Sequence, residues 1–430
     1  MKKCVLGDVM EVTRGASLAG KYYATAGDKI RLTLANFDYA NNCFKPDTSK
    51  DNVFYTQAVD DRFVLKEGDI ITPLTEQTPG LLGTTARIPE SGKYIQSQDV
   101  ALLKPFTEKL DPDYCFYLVS SKAVRNQLGA MSQQTKIRHS SPDKIKSCTV
   151  FLPELEKQRR IGAFLSAIDR KIALNRKRIA TLEAMAKEIY DYWFVQFDFP
   201  DAHGRPYKSS GGAMVYNPDL KREIPKGWEV CRIGDHITAN RGISYSTKNI
   251  SSGNGVPMIN LNSFNVDSSY KVKGIKMFDG EIPSTRRIAP YDLVMCNTQQ
   301  TDLDPCKDII GKSFLVPDIF EGTIVSSHHV TTIHVDDDNL KVYLNALFHT
   351  REFHAYIAGY ASGTSIRGLN FLGVENCYIA VPHMPLLSKF ANLALSCEKE
   401  KSRILRNQKM LQTLRDFILP LLMNGQVKVG

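Results

Sequence analysis

The chain has 430 residues, 43% of them hydrophobic and 23% charged, with nine cysteines and a formal net charge of +9. That length suits two to four units of ordinary size, each able to bury a core. No apolar run reaches the length of a membrane span, and the start at Met1-Lys2-Lys3-Cys4 has no long apolar stretch behind it, which argues against a secretory signal. The cysteines are scattered and no C-x-x-C pair occurs, so the expectation is free thiols in a reducing cytoplasm. A mild positive charge is compatible with a polyanionic partner and does not require one.

Read in chain order, the sequence is built twice. Leu6-Gly7-Asp8, continuing to Arg14-Gly15, recurs 227 residues on as Ile233-Gly234-Asp235, continuing to Arg241-Gly242. The same step sets Leu32 to Phe37 against Ile259 to Phe264. Thr135-Lys136-Ile137-Arg138 matches Thr364-Ser365-Ile366-Arg367, 229 on, and Asn175 matches Asn407, 232 on. The matches keep their order while identities stay sparse, so one scaffold has been filled with two sets of side chains. Each copy opens with a mixed segment, about 1–150 and 215–380. Short apolar runs such as Phe63-Val64-Leu65 and Asp69-Ile70-Ile71 read as strands. A helical patch follows in each, Tyr114 to Leu128 and Leu340 to Ile357.

Then comes a long helix in each copy. The first is expected from about Glu154 to Trp193, starting after Pro153 with acids in its first turn. Its seam is Ile161, Leu165, Ile168, Ile172, Asn175, Ile179, Leu182, Ala186, Ile189 and Trp193, in steps of three and four that mark a coiled-coil heptad. The second is expected from about Leu386 to Leu419, with Phe390, Leu393, Cys397, Ile404, Leu411, Leu414, Ile418 and Leu421 along its seam, Glu400 and Asn407 interrupting it, and Pro420 kinking or ending it. Asn175 and Asn407 hold equivalent places and are candidates for fixing register. A helix of about 40 residues spans roughly 60 Å, and its seam needs a partner. The simplest partner is the other helix, antiparallel, with an unlike globular unit at each end. Duplex DNA is a ligand long enough to meet two such units.

Motifs for chemistry of the chain's own are weak. Asp111-Pro112-Asp113-Tyr114 has Asp where an adenine-methyltransferase motif has its second Pro, and reads better as a helix start. Gly311-Lys312-Ser313 ends like a phosphate loop, but Cys306 stands where that motif needs Gly. His328, His329 and His334 fit no standard metal spacing.

The stretch Leu152-Pro153-Glu154-Leu155-Glu156-Lys157-Gln158-Arg159-Arg160-Ile161 resembles the conserved region of Type I restriction-modification specificity subunits. So do Leu165 to Ile172, Asn175, Leu182 to Ala186, Tyr192 to Val195, and the connector 197–217 and 220–230. The first copy has no counterpart of Ile224-Pro225-Lys226-Gly227-Trp228. The resemblance implies an α+β fold of two α/β target recognition domains joined by two long antiparallel coiled-coil helices, a pseudo-two-fold repeat. The expected bounds are 1–152 for the first domain, 153–195 for the first helix and 196–226 for the connector. The second domain then takes 227–383, the second helix 384–424 and the tail 425–430. It also implies a non-catalytic DNA-binding subunit of the cytoplasm, away from any membrane, reading a bipartite asymmetric target. Partners would be double-stranded DNA, two modification (methyltransferase) subunits and two restriction (translocase and nuclease) subunits. S-adenosylmethionine, ATP and Mg would sit on those partners, with no cofactor or metal on this chain.

Base reading favours Arg or Lys for guanine and Asn or Gln for adenine. The candidates are Arg14, Gln77, Thr78, Gln133, Gln134, Lys136 and Arg138 in the first copy. In the second they are Arg241, Asn297, Thr298, Gln299, Gln300, Ser365 and Arg367, with the run from Asn297 foremost. Each residue also has a plainer reading, Arg-Gly as a structural turn and the Gln/Thr runs as solvated loops. Two other functions remain open at this point: a coiled-coil scaffold joining two protein ligands, and a stand-alone enzyme acting on nucleic acid.

Overall fold

The computed structural model describes residues 1–46, 51–77, 80–132, 138–251, 253, 255–300 and 308–427. Two compact units emerge, Met1–Ala173 with Met410–Gly430, and Leu174–Lys409.

In the first unit the central sheet has strand order Ala86–Arg87, Ile70–Pro73, Val100–Pro105, Met10–Arg14, all antiparallel. Val100 to Leu103 is apolar throughout because both faces of this strand are covered. Ala101 and Leu103 pack toward helices Pro112–Val119 and Lys122–Met131. Val100 and Leu102 pack the other way, with Leu32, Phe37 and Tyr94. The period of two thus divides one strand between two cores. The second sheet runs Tyr23–Ala24, Phe54–Tyr55, Ile30–Arg31, Tyr94–Ile95, its last pair parallel.

The second unit repeats the plan. Its central sheet is Ser313–Leu315, Leu293–Cys296, Val330–Val335, Ile237–Arg241, again with alternate residues in two cores. Its other sheet is Ile250–Ser251, Lys276–Phe278, Val256–Ile259, Ile324–Ser326, Arg287–Ile288. The fifth strand marks one difference. Arg287–Ile288 pairs with Ile324–Val325, whereas the corresponding stretch of the first unit is no strand. The expected strand Phe63-Val64-Leu65 is instead a 3-10 turn, Asp61–Phe63, followed by a single bridge from Val64 to Ile95. Asp60 accepts a hydrogen bond from the Arg62 amide at 3.0 Å and winds the turn.

Each helical patch proves to be two helices. Pro112–Val119 and Lys122–Met131 are parted at Ser120 and Ser121, and Asp338–Phe348 and Arg351–Ala358 at His349 and Thr350. Thr350 caps the second of these by accepting from the Phe353 amide at 3.2 Å. Asp111-Pro112-Asp113-Tyr114 is the helix start expected of it: Asp111 accepts from the Tyr114 amide at 2.9 Å, with Pro112 in the first turn.

The first long helix is Leu155–Tyr190, passing into a π-turn at Asp191–Val195. Gln158 fastens its start, accepting from the Asp111 amide and donating to the carbonyls of Lys109 and Pro153. Gly162 lets it come close, since a Cβ there would lie 2.8 Å from the Tyr114 amide nitrogen. In the second unit the end of this helix is held among aromatic rings, with Phe194 4.9 Å from Phe390 and 5.0 Å from Tyr343 between centroids. Trp228 of the connector joins that core. The second long helix is Met384–Met423. It does not end or break at Pro420, because Leu422 and Met423 are buried in the core of the first unit and hold the last turn there.

The two helices are antiparallel where they meet. In the first unit Asp169 faces Arg415, and in the second Asn175 faces Asn407 and Glu183 faces Lys401. Ile161, Leu165, Ile168, Ile172, Asn175 and Ile404 are buried, and Ile179, Leu182, Ile189, Asn407, Leu411 and Ile418 half-buried. Leu393 and Leu414 are corrections to the expected seam: each is 42% exposed. The inward stripe passes instead through Ala394, Lys401 and Arg415, whose stems are buried and whose charges are paired, and that phase turns both leucines outward. No described helix is long and apolar enough to cross a membrane.

Candidate nucleic-acid interface

A short ladder at the same place in each unit gathers most of the sequence candidates. In the first, Thr75–Glu76 pairs antiparallel with Arg138–His139, setting Glu76 opposite Arg138. In the second, Thr298–Gln300 pairs with Ile366–Leu369, setting Gln299 opposite Arg367. Gln77, next to Glu76, and Arg138 are distant in sequence and adjacent here. The same holds for the run from Asn297 and the pair Ser365 and Arg367.

Glu76 is buried, and one carboxylate oxygen accepts from the amides of Leu81 at 2.6 Å and Leu82 at 2.9 Å. Its other oxygen lies 3.8 Å from the Arg138 guanidinium. It therefore clamps the far end of the loop that opens at Gln77. In the second unit the neutral Gln299 does the same work, its amide oxygen accepting from the Ile309 amide. Arg367 pairs with Asp308 at 3.2 Å, beside that same loop end. One clamp is ionic and the other neutral, on one backbone plan.

This arrangement corrects two of the base-reading assignments. Gln299 is buried in the clamp, and Asn297 is buried too, giving its side-chain amide to the His328 carbonyl at 3.5 Å. Both side chains point into the scaffold because a ladder strand sends alternate residues inward. Thr298 is half-buried, its hydroxyl 2.6 Å from His329 Nδ1. Arg138 and Arg367 spend part of their charge on Glu76 and Asp308. Arg14, Gln77, Arg241 and Ser365 are exposed. Arg14 donates from Nε to the Gln98 carbonyl at 2.8 Å, leaving its other donors outward. Gln300 lies on the ladder. Thr78, Gln133, Gln134 and Lys136 fall outside the described residues.

The glycines after Arg14 and Arg241 have a steric reason, close backbone approach. A Cβ on Gly15 would stand 2.3 Å from the Gln96 and Ser97 carbonyl oxygens, and one on Gly242 would stand 2.1 Å from that of Ser326. Each glycine lets the strand end close on a neighbouring backbone and so places the arginine before it.

A second group went unread in the sequence because five separate segments supply it. Beside the first ladder a cleft of about 260 Å³ is lined by Tyr23, Arg31, Thr33, Gln77 and Asp99, with the Arg31 guanidinium 4.0 Å over the Tyr23 ring. The corresponding place in the second unit holds Tyr245, Lys276, His328 and His329. The two imidazoles are 3.8 Å apart, and Lys276 lies 3.3 Å from the Tyr245 hydroxyl. Burial, then His328 and Lys276, lower the His329 pKa, so the ring stays neutral near pH 7. The repeat offset would have revealed this equivalence, since Gln98 and Asp99 stand 230 residues before His328 and His329. Among the described residues no three His, Cys, Asp or Glu side chains are grouped to hold a metal.

Residues 1–184 match the family model for the Type I restriction modification DNA specificity domain. The MjaIX specificity subunit of Methanocaldococcus jannaschii is 26% identical over 324 residues, 74% of this chain and 69% of that protein. The HindI specificity subunit of Haemophilus influenzae is 22% identical over 418 residues, 84% of this chain and 87% of that one. The family model and these relatives agree, and the chain is similar to the specificity subunits of Type I restriction-modification systems. In fold, the chain is similar to the crystal structure of the S subunit from M. genitalium, with a TM-score of 0.60 at 11% identity, over 98% of this chain and 95% of that one.

Proposed function

We propose that this chain is a specificity subunit that reads a bipartite, asymmetric DNA sequence, one half-site with each globular segment, while the intervening base pairs go unread. The observation that carries this is the repeated ladder. Glu76 with Arg138 and Gln299 with Arg367 stand at matching registers, and their clamps span different lengths of chain, five residues from Glu76 to Leu81 and ten from Gln299 to Ile309. A scaffold that kept its backbone while exchanging these side chains suits two different targets. Exposed Arg14 and Arg241 serve phosphates or guanine edges, and exposed Gln77 serves a base edge. The net charge of +9 supports a polyanionic ligand.

The long helices set the distance between half-sites, and their outer faces dock two modification subunits, one for each copy of the repeat. Two restriction subunits complete the assembly in the cytoplasm. S-adenosylmethionine, ATP and Mg belong to those partners, and this chain supplies recognition with no catalytic group of its own. The test is the methylome of cells expressing this chain with a Type I modification subunit. A two-part motif with an unread gap and methyladenine in each part is expected. A contiguous or palindromic motif, or none, sinks the reading.

A further inference from the structure

The long helices repeat at 232 residues, and at this step the seam carries a sign reversal. Asn175 and Asn407 are equivalent and meet each other, Nδ2 of the first donating to Oδ1 of the second at 3.1 Å. Asp169 is equivalent to Lys401, and Glu183 to Arg415. In the first unit Asp169 pairs with Arg415 at 2.9 Å, and in the second Lys401 pairs with Glu183 at 3.0 Å. The same contact is thus made twice with opposite polarity. Both acids lie on the first helix and both bases on the second.

The bases are enclosed and the acids half-buried: the side chains of Arg415 and Lys401 are 11% and 15% exposed, those of Asp169 and Glu183 30% and 33%. The Tyr117 hydroxyl donates to the second oxygen of Asp169 at 2.6 Å. Burial alone would lower the Lys401 pKa, yet Glu398 and Glu183 raise it above its ordinary value. A charge held this way tolerates a like charge badly.

We propose that this sign pattern makes the seam a recognition surface that accepts the other half of the chain and rejects a second copy of the same half. Two first helices in the same antiparallel register would set Asp169 against Glu183 of the second copy, twice. Two second helices would set Lys401 against Arg415, twice. Glu398 and Asp416, which hold those bases from their own helix, soften the second conflict, so rejection is stronger for the first helix. The unlike globular segments are therefore combined and like ones kept apart. Only the consequence for DNA, an asymmetric target instead of a palindrome, rests on the function proposed above.

The full chain tests this. E183K with K401E keeps both contacts within the chain but leaves one acid and one base on each helix, which makes like helices complementary. Adding D169R and R415D restores two like charges per helix, with signs inverted. Mixed ¹⁴N and ¹⁵N chains are refolded from urea at rising concentration, cross-linked through lysines, and scored for mixed-isotope links joining first helix to first helix. Such links should be about tenfold more frequent in the double variant than in the parent or the quadruple variant, with light scattering showing the added mass. Equal frequencies in all three overturn the proposal. If E183K/K401E fails to fold when dilute, D169R/R415D makes the same symmetrical pattern and takes its place. Failure of both to fold also overturns it, because the pairs would then not be interchangeable in sign.

Discussion

The two globular segments share the order of their central sheet and differ at the points where a ligand would notice. Backbone approach is identical: Gly15 and Gly242 each lie against a carbonyl row. The loop clamp is not, with buried Glu76 in one segment and buried Gln299 in the other. The cleft beside the clamp is lined by Arg31 and Asp99 in one, and its counterpart holds His328 and His329 in the other. A position that shapes the chain is fixed by sterics, which leave one solution. A position that fills a polar slot need only satisfy the amides facing it, and several side chains can do so.

The largest expected effects test the shared part. Gly15→Ala and Gly242→Ala should each destabilise their unit by about 3 kcal/mol or more, since the obstacle is backbone on both sides. Urea unfolding checks this, and a loss confined to one of the two would break the symmetry. Next come the clamps. Glu76→Ala leaves two amides and Arg138 without their anion and should cost about 2–3 kcal/mol, whereas Gln299→Ala should cost about 1 kcal/mol. Equal losses would mean the ionic clamp is worth no more than the neutral one. If the Gln299 variant also lost methylation at one half-site alone, its loop would be assigned to that half.

Acid should separate the units further. His349 and His354 are pushed down to about 4, chiefly by burial. The unfolded chain takes up these protons first as pH falls below about 6.5. Stability is then fully present above that pH and is lost progressively toward pH 4, by on the order of 3 kcal/mol per histidine. Both tryptophans, Trp193 and Trp228, lie in the second unit, and His139 is the only histidine in residues 1–173. Tryptophan fluorescence should therefore show a urea midpoint falling with pH, and a flat midpoint would remove the histidines from the account. The smallest effect on folding is expected of Arg14→Ala and Arg241→Ala, within about 0.5 kcal/mol. Each should lower the slope of log affinity against log salt by about one if it meets a phosphate. Relaxed base preference at an unchanged slope would assign base reading instead.

The repeat, the two long helices, the helix start at Asp111 and the family resemblance were all legible in the sequence. Each rests on local order, since a heptad, a cap or a fixed offset needs no knowledge of what lies across the fold. Tertiary structure decided which way side chains face. Asn297 and Gln299 have the chemistry of base readers, but ladder register turns them inward. Leu393 and Leu414 have the chemistry of seam residues, but paired charges at Lys401 and Arg415 set another phase. Arg14 and Arg241, singled out as readers of DNA, keep the exposure that role requires, and the glycine after each shows how the backbone holds them there.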